Sequence, residues 1–329
     1  MATGNTAYAI AAGGYTGQPA YSAFAVEVAI RQEWENAWLR AHPLLALIKE
    51  GKSNWNKKGL RKGNMMLLPV ILGASATVAD GVADADELTP VSPYITSNFT
   101  QAAYNIAHYQ GFFWVRSSER QLINNERGDF FQGKVMQKRD EFMDEIADDI
   151  ASTAADSRTA VLGIQQALAT SNTVGGIAQG TDTDWAATVY SSYGTFSLDL
   201  LDNGRHAARA RRGKTDLALF AYSSSNDLYG KLLASIGQAQ RIVDSGFEAK
   251  YGFESVIYAG TRCVMDNRLT AGVICGLDTS TWFYCGDDRP TAYSPQRTPG
   301  TVADEYAYDM FAGVGCSNPA KSWRATSVS

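Results

Sequence analysis

Cysteine and histidine are scarce in this 329-residue sequence, and the few present do not form a metal-binding pattern. The four cysteines lie in the last quarter of the chain, with no Cys-x-x-Cys pair and no neighbouring histidine: Cys263, Cys275, Cys285 and Cys316. This spacing argues against zinc and predicts buried free thiols in β-strands, while it leaves a disulfide open. The three histidines fall in unrelated segments: His42, His108 and His206. No metal, cofactor or catalytic residue is therefore predicted.

Long apolar runs and an excess of basic charge are also missing. The longest apolar stretch, residues 65–72, is too short to span a bilayer, and no signal peptide is visible. We therefore expect a soluble protein, made in a cytoplasm, with no membrane partner. The formal net charge of −5 argues against a protein that binds nucleic acid through a basic surface. A weakly acidic wall would nevertheless suit a container, because packed nucleic acid would not adhere to it.

Two segments end like a phosphate-binding loop, Gly51-Lys52-Ser53 and Gly213-Lys214-Thr215. In each segment the earlier glycine that the loop requires is an alanine, Ala46 or Ala208. Each segment also follows a predicted helix, whereas a phosphate loop follows a strand. Nucleotide binding is therefore not predicted.

The first third of the chain predicts a projecting arm. After an aperiodic stretch, residues 1–21, a helix is predicted from Ser22. Residues 65–72 and 101–115 then predict two strands, and Pro69 assigns the first to an edge position. In the second strand, Tyr104, Ile106, His108 and Gln110 are predicted to share one face. The 28 residues between the strands, 73–100, are small, acidic and interrupted by proline. Loops this long are uncommon inside compact domains, which favours an extended hairpin.

A long amphipathic helix is predicted for residues 130–154. One apolar stripe runs along it: Phe131, Val135, Phe142, Ile146 and Ile150. The opposite side carries two acidic rows at i, i+4 spacing: Asp140, Glu141, Asp144, Glu145, Asp148 and Asp149. Like charges at this spacing destabilise a helix by about 0.3 kcal/mol per pair. The rows indicate either a solvated face or a face that meets a basic partner surface.

A glycine-rich joint follows this helix. It consists of Leu162-Gly163, a short helical run to Ala169, the turn Thr173-Val174-Gly175-Gly176-Ile177 and a lone Trp185. Next come a predicted helix at 196–212, a strand at 216–222 and a helix at 225–236 capped by Ser224 or Ser225. The rest of the chain predicts strands at 253–258, 261–265, 273–277, 282–285, 306–314 and 322–328.

The order of these parts resembles the tailed-phage major capsid protein, the shell subunit with the Hong Kong 97-type fold. The segment Gly315-Cys316-Ser317-Asn318-Pro319 before the last strand adds to the resemblance. It implies an α+β fold with an extended β-hairpin arm, a long spine helix, an α/β apical domain and a β-rich peripheral domain. The implied boundaries are 1–50 for an N-terminal arm, 51–110 for the hairpin arm, 111–189 with 251–329 for the peripheral domain, and 190–250 for the apical domain.

The resemblance also implies a function. The protein would be a non-enzymatic structural subunit that self-assembles into pentamers and hexamers of an icosahedral shell around double-stranded DNA. Its other partners would be a separate scaffolding protein, a portal protein and the packaged DNA, without sequence-specific contact. It would be assembled in the host cytoplasm and reside in the virion capsid.

Opposite charges predict where subunits would meet. We expect the basic base of the arm to contact the acidic arm tip or the acidic helix of a neighbour. The candidate interface residues are Lys57, Lys58, Arg61, Lys62, Asp84, Asp86, Glu87, Asp144 and Asp148. A second basic group lacks the interleaved aromatics of a nucleic-acid patch, and predicts a solvated helix end or a contact with an acidic neighbour: Arg205, Arg209, Arg211 and Arg212.

Two other functions stay open. The same fold could form an encapsulin-type compartment around an enzyme, in which case purified particles would contain protein rather than DNA. A hydrolase that acts on glycans through paired carboxylates is suggested only by the abundance of Tyr, Trp and Asp. It would predict a monomer with two acids flanking a cleft.

Overall fold

The computed structural model describes residues 42–50, 61–62, 64–71, 99–116, 128–236, 242–243, 253–286, 291–293, 296–297 and 303–329. The helices in these segments are α1 (Pro43–Glu50), α2 (Gly128–Ala151), α3 (Ile164–Ala167), α4 (Leu198–Ala210) and α5 (Leu228–Ile236). The strands are β1 (Arg61–Lys62), β2 (Met65–Ile71), β3 (Phe99–Asn105), β4 (Ala107–Arg116), β5 (Thr173–Val174), β6 (Ile177–Ala178), β7 (Thr188–Tyr190), β8 (Leu217–Ser223), β9 (Asn226–Asp227), β10 (Ile242–Val243), β11 (Ser255–Tyr258), β12 (Thr261–Asp266), β13 (Ile274–Leu277), β14 (Trp282–Gly286), β15 (Thr291–Ala292), β16 (Gln296–Arg297), β17 (Ala303–Cys316) and β18 (Trp323–Ala325). The helix predicted from Ser22 and most of the acidic loop lie outside the described residues.

The two strands predicted to flank the acidic loop pair with each other. β2 and β3 form an antiparallel ladder from Met65 opposite Asn105 to Ile71 opposite Phe99. β1 adds to the other side of β2 near Met65. At Pro69, β3 is the only neighbouring strand within the described residues, and this is the edge position that proline's missing N–H favours.

One face of this hairpin is buried. β2 turns Met66, Leu68 and Val70 inward, and Tyr104 of β3 packs beside them in the larger hydrophobic core. The Tyr104 hydroxyl donates a hydrogen bond of 2.6 Å to the backbone oxygen of Cys316. The base of the hairpin is therefore fixed to the body of the protein.

The prediction of one continuous strand over residues 101–115 is wrong. The chain forms two strands that break at Ile106, and the buried face changes there: Tyr104 and Ile106 are buried, but so are Ala107 and Tyr109. His108 and Gln110 therefore do not share the buried face of Tyr104.

Backbone hydrogen bonds show where the chain changes its partner strand. The Asn105 N–H donates to Oδ2 of Asp156 at 2.9 Å, and the Ile106 N–H donates to the backbone oxygen of Asn64 at 2.9 Å. The bond to Asn64 extends the register with β2 by one residue, and from Ala107 onward the chain pairs with β17 instead.

A second sheet is organised around β17, its longest strand. All ten residues of β4 pair antiparallel with residues 303–312 of β17. β14, β15 and β16 also pair with β17. α2 packs on β4 and buries Phe142, Ile146 and Ile150, so the predicted apolar stripe is confirmed for these three residues.

The predicted glycine turn is confirmed. β5 and β6 form a hairpin whose two-residue turn is Gly175 and Gly176. Their φ values are +60° and +78°. Left-handed angles at both positions are what such a hairpin requires. Trp185 is almost fully buried, and its Nε1–H donates to the backbone oxygen of Val174 at 3.1 Å. The indole therefore holds the turn against the core.

The third sheet is mixed and has a core on each face. Its strand order is β10-β11-β12-β8-β13-β18-β7, with β9 paired to β8. Leu217 and Leu219 of β8 point into the larger core, whereas Ala218 and Phe220 point into a smaller core beneath α4 and α5. Burial on both faces explains why β8 is a continuous apolar run.

The predicted cap of the second helix in this region is wrong. The helix begins at Leu228, and Oδ1 of Asp227 accepts the N–H of Gly230 at 2.8 Å. Ser225 lies in the turn before it, and its N–H donates to the Ser223 hydroxyl. β9 pairs back onto β8 and so shifts the start of the helix beyond the serines.

Gly163→Ala should lower the free energy of unfolding by about 1–3 kcal/mol, because overpacking a close contact destabilises a fold. A Cβ at Gly163 would lie 2.3 Å from the backbone oxygen of Ser152. At Gly180 the nearest atom to a Cβ would be 3.8 Å away, so Gly180→Ala is the matched control. Chemical denaturation measures both, and equal stabilities would contradict the close approach.

Candidate functional site

The prediction of buried free thiols in strands is confirmed: all four cysteines are free and buried. Burial raises the pKa of Cys263, Cys275 and Cys316 to about 12. These thiols are protonated at neutral pH and are therefore poor nucleophiles. Within the described segments, no group of three or more His, Cys, Asp or Glu residues could hold a metal. No described helix is long and apolar enough to cross a membrane.

A buried histidine fixes the start of α1. His42 is fully buried; its Nδ1 accepts the N–H of Leu44 at 3.2 Å, and its Nε2 lies 2.9 Å from Oδ2 of Asp266. Burial acts to raise the pKa of Asp266, but the electrostatic interaction and hydrogen bond with His42 act against it, together with the backbone N–H and charge of Arg268, and the pKa is lowered. Leu44 and Leu45 enter the larger core. The point where the N-terminal part of the chain joins the body is therefore held by one polar contact and two leucines.

The outward side of α2 carries exposed carboxylates at five of the six predicted positions, whereas Asp149 is half-buried and accepts a hydrogen bond from the Tyr109 hydroxyl. We call this set the acidic face: Asp140, Glu141, Asp144, Glu145 and Asp148. Arg268 donates one guanidinium hydrogen bond to Asp144 and one to Asp148, each at 2.6 Å. The two aspartate side chains remain 62% exposed. A single guanidinium thus offsets part of the repulsion along the helix and leaves the acidic face open to solvent.

The structure describes only some of the predicted interface residues. Asp144 and Asp148 lie on the acidic face, and Arg61 and Lys62 form β1. The remaining five lie outside the described residues: Lys57, Lys58, Asp84, Asp86 and Glu87. The predicted contact between the arm and an acidic neighbour stays a prediction.

A compact basic surface lies where α4 ends. We call it the basic turn, and it consists of Arg209, Arg211, Arg212, Lys214 and Lys321. Lys321 joins it from the far end of the sequence, because a Cβ at Gly213 would lie only 2.8 Å from the Cβ of Lys321. Arg205, grouped with these residues from the sequence, instead donates to Asp202 and to the backbone oxygen of Ala259.

At the basic turn, α4 ends in a Schellman motif. The Gly213 N–H donates to the oxygen of Ala208 at 2.8 Å, and the Arg212 N–H donates to the oxygen of Arg209 at 2.9 Å. Arg212 occupies the left-handed position of the motif with a φ of +58°, where glycine is usual. A side chain at such a position is destabilising by about 1 kcal/mol, and strain of this kind tends to be retained where the side chain has a function.

Aromatic rings are exposed on the side of the β4–β17 sheet that faces away from α2. Phe112 and Trp114 are 53% and 55% exposed, with ring centroids 5.5 Å apart. Tyr293 is 51% exposed and donates to Oδ2 of Asp309 at 2.7 Å, and Nε2 of His108 lies 3.0 Å from the same oxygen. We call these rings the aromatic face. Large exposed rings that lie together are typical of protein–protein interfaces.

Sequence reasoning missed several of these residues. Arg268 lies 120 residues from Asp148 in the chain, and an isolated arginine gives no local signal of its partners. Phe112 and Trp114 were assigned to a strand, but which face they occupy depends on the break at Ile106. Lys321 could not be grouped with the α4 arginines without the fold.

Comparison with known proteins identifies the fold. No protein-family model matches the chain, and no curated protein matches its sequence. Solved structures do match. A chain of the cyanophage A-1(L) capsid superposes with a TM-score of 0.59 at 11% identity, over 87% of this chain and 92% of that one. A capsid chain of a native GTA particle gives a TM-score of 0.58 at 12% identity, over 89% and 91%.

An encapsulin complex from Synechococcus elongatus is also similar, with a TM-score of 0.54 at 10% identity over 88% of each chain. At these identities the likeness establishes the fold alone. This chain has the mixed helix-and-sheet fold of shell-forming proteins. The resemblance to tailed-phage capsid proteins, predicted from the order of the sequence motifs, is confirmed at the level of the fold.

The thiols should stay unreactive in the native protein. A water-soluble disulfide reagent at neutral pH should modify none of the four cysteines on the timescale of minutes, because all are buried and three have a raised pKa. Unfolding in guanidinium should expose all four to the reagent. Absorbance of the released thiolate measures both states, and fast modification of the native protein would contradict the burial.

Asp266→Asn should lower the free energy of unfolding at neutral pH by about 1–3 kcal/mol, because His42 loses its charged partner. The pKa of Asp266 is lowered in the fold, so its stabilising effect is present above the unfolded pKa and disappears as pH falls through the folded pKa. The gap between wild type and variant should therefore shrink below about pH 4. Urea denaturation at neutral and acid pH measures this gap, and a constant gap would contradict the assignment.

Proposed function

We propose that this protein is a structural, non-enzymatic subunit that assembles with its own copies into the icosahedral shell of a tailed-phage capsid around double-stranded DNA. The observation that carries the proposal is a fold shared with two capsid chains over 87% and 89% of this chain. The exposed charged and aromatic surfaces give that fold a physical means of self-association.

Burial at these surfaces provides the driving force. Phe112 and Trp114 can remove a large apolar area from water on contact, and obligate interfaces bury more than about 2,000 Å². The acidic face and the basic turn set the orientation of approach more than the affinity. Ordering of segments on assembly offsets part of the gain.

We interpret the architecture in the terms of the Hong Kong 97-type fold. The β2–β3 hairpin is the base of an extended arm over 51–110, and α2 is the spine helix of a peripheral domain formed by 111–189 and 251–329. Residues 190–250 form the apical domain, and 1–50 the N-terminal arm. One mixed sheet connects β8 of the proposed apical domain to strands of the peripheral domain, which supports a firm junction between the two.

The resemblance supplies the remaining partners. Copies would form pentamers and hexamers, with a separate scaffolding protein during assembly in the host cytoplasm and a portal protein in the virion capsid. DNA would be enclosed without sequence-specific contact. The net charge of −5 supports a wall to which phosphates do not adhere.

A second candidate is an encapsulin-type compartment, which the likeness to the Synechococcus complex favours. The contents of purified particles separate the two: nuclease-protected DNA supports the phage capsid, and an enzyme cargo supports the compartment. The hydrolase alternative has less in its favour, since the carboxylates of α2 line an open helix face rather than a cleft.

Replacing residues 73–98 with a short Gly-Ser linker should leave a folded subunit that forms no closed shells, because contacts of the arm with neighbours are lost. Circular dichroism checks the fold, and electron microscopy checks the particles. The same linker inserted at the exposed Ala259–Gly260 turn is the control and should still give closed shells. Regular particles of normal size from the deletion variant would show that the arm is not needed.

A further inference from the structure

We infer that the basic turn at the end of α4 binds the acidic face of α2 on a neighbouring copy of this chain. The contact is head-to-tail, because it joins two different surfaces, the basic turn of one copy and the acidic face of the next. This inference rests on the proposed function, since it specifies which surfaces join two subunits.

The basic turn has cations that the fold itself leaves available. Arg209, Arg212 and Lys214 are exposed, and none of them has an ion-pair partner among the residues that the structure describes. Arg211 pairs with Asp184, yet the two side chains remain 45% and 55% exposed. Asp184 and Asp278, which accepts the Lys214 N–H at 2.9 Å, are thus set against five cations, and the surface keeps an excess of positive charge.

The acidic face has the complementary excess. All five of its carboxylates are exposed, although Arg268 bridges Asp144 and Asp148 and Lys138 pairs with Glu141. Glu145 is exposed and has no ion-pair partner among those same residues. The residual repulsion between its i, i+4 rows would be relieved by a basic surface from outside.

The two surfaces belong to different parts of one copy. α4 packs on β18 and the smaller core, whereas α2 packs on β4 and the larger core. No ion pair between the described residues joins them. A contact between two different patches of identical subunits is heterologous, and it generates a ring when its rotation closes. A ring is the arrangement that pentamers and hexamers of a shell require.

Duplex DNA is the competing partner for the basic turn, and the sequence disfavours it. The chain as a whole is net negative, at −5, and repels phosphate. The basic turn also lacks the aromatic residues that would stack on the bases of a single strand. We therefore assign the basic turn to the carboxylates of a neighbouring copy, which the Arg212 guanidinium can bind through paired hydrogen bonds.

Charge reversal in the full-length protein tests the inference. The basic-turn variant is Arg209→Glu with Arg212→Glu, the acidic-face variant is Glu141→Lys with Glu145→Lys, and the combined variant carries all four changes. Near-UV circular dichroism checks that each folds. Light scattering over a range of protein concentrations, with electron microscopy, measures assembly.

Each single-surface variant should need at least about tenfold more protein to assemble, because like charges then meet at the contact. The combined variant should assemble close to wild type, since both signs are exchanged. Arg158→Glu with Lys231→Glu, two exposed cations elsewhere, is the matched control and should behave like wild type. Wild-type assembly should also weaken as salt rises.

Single-surface variants that assemble like wild type, or a combined variant no better than they are, would overturn the inference. So would a basic-turn variant that assembles normally but loses packaged DNA, because the surface would then serve the genome. A wild-type chain that stays monomeric overturns the proposed function and this inference with it. If the wild type assembles and every variant assembles like it, the inference alone is overturned and the proposed function stands.

Discussion

The antiparallel pairing of β4 with β17 is the contact on which the rest of the structure depends. It joins residues 107–116 to residues 303–312, about 200 positions apart in the chain, so its loop-closure entropy must be offset by burial nearby. α2 supplies that burial. Tyr308 donates to the backbone oxygen of Lys138, and Tyr109 donates to Asp149 at 2.5 Å, so two hydroxyls hold the helix on the inner face of the sheet.

The pairing of β4 with β17 and the packing of α2 on their sheet determine which surfaces remain exposed to partners. Once α2 covers one face of the β4–β17 sheet, Phe112 and Trp114 are left exposed on the other. The apolar stripe of α2 is used inside, so its carboxylates must point outward, with Arg268 as a partial counter-charge. The mixed sheet, with a core on each face, likewise leaves the end of α4 at the surface. Exposed charge and exposed aromatic area thus lie on different elements of the fold: α2, the end of α4 and the β4–β17 sheet.

The sequence predicted those features whose cause is local. The stripe of α2 follows from a period of 3.6 residues, the turn at Gly175 and Gly176 from the angles that only glycine adopts readily, and the buried thiols from spacing without metal ligands. The fold itself was predicted from the order of such motifs. Three features were not predicted, because each depends on partners far away in the chain. They are the break at Ile106, the contact of His42 with Asp266, and the hydrogen bonds from Arg268 to Asp144 and Asp148. The cap at Asp227 was missed for a related reason, since β9 pairs with β8 before the helix begins.

The central claim is that this chain uses its exposed charges and rings to bind its own copies. Sedimentation velocity of the full-length wild-type protein tests this claim most directly. The account predicts a concentration-dependent shift from small species to one narrow boundary of very large particles, and a shift in the opposite direction as ionic strength rises. A single monomeric species at every protein and salt concentration would contradict it.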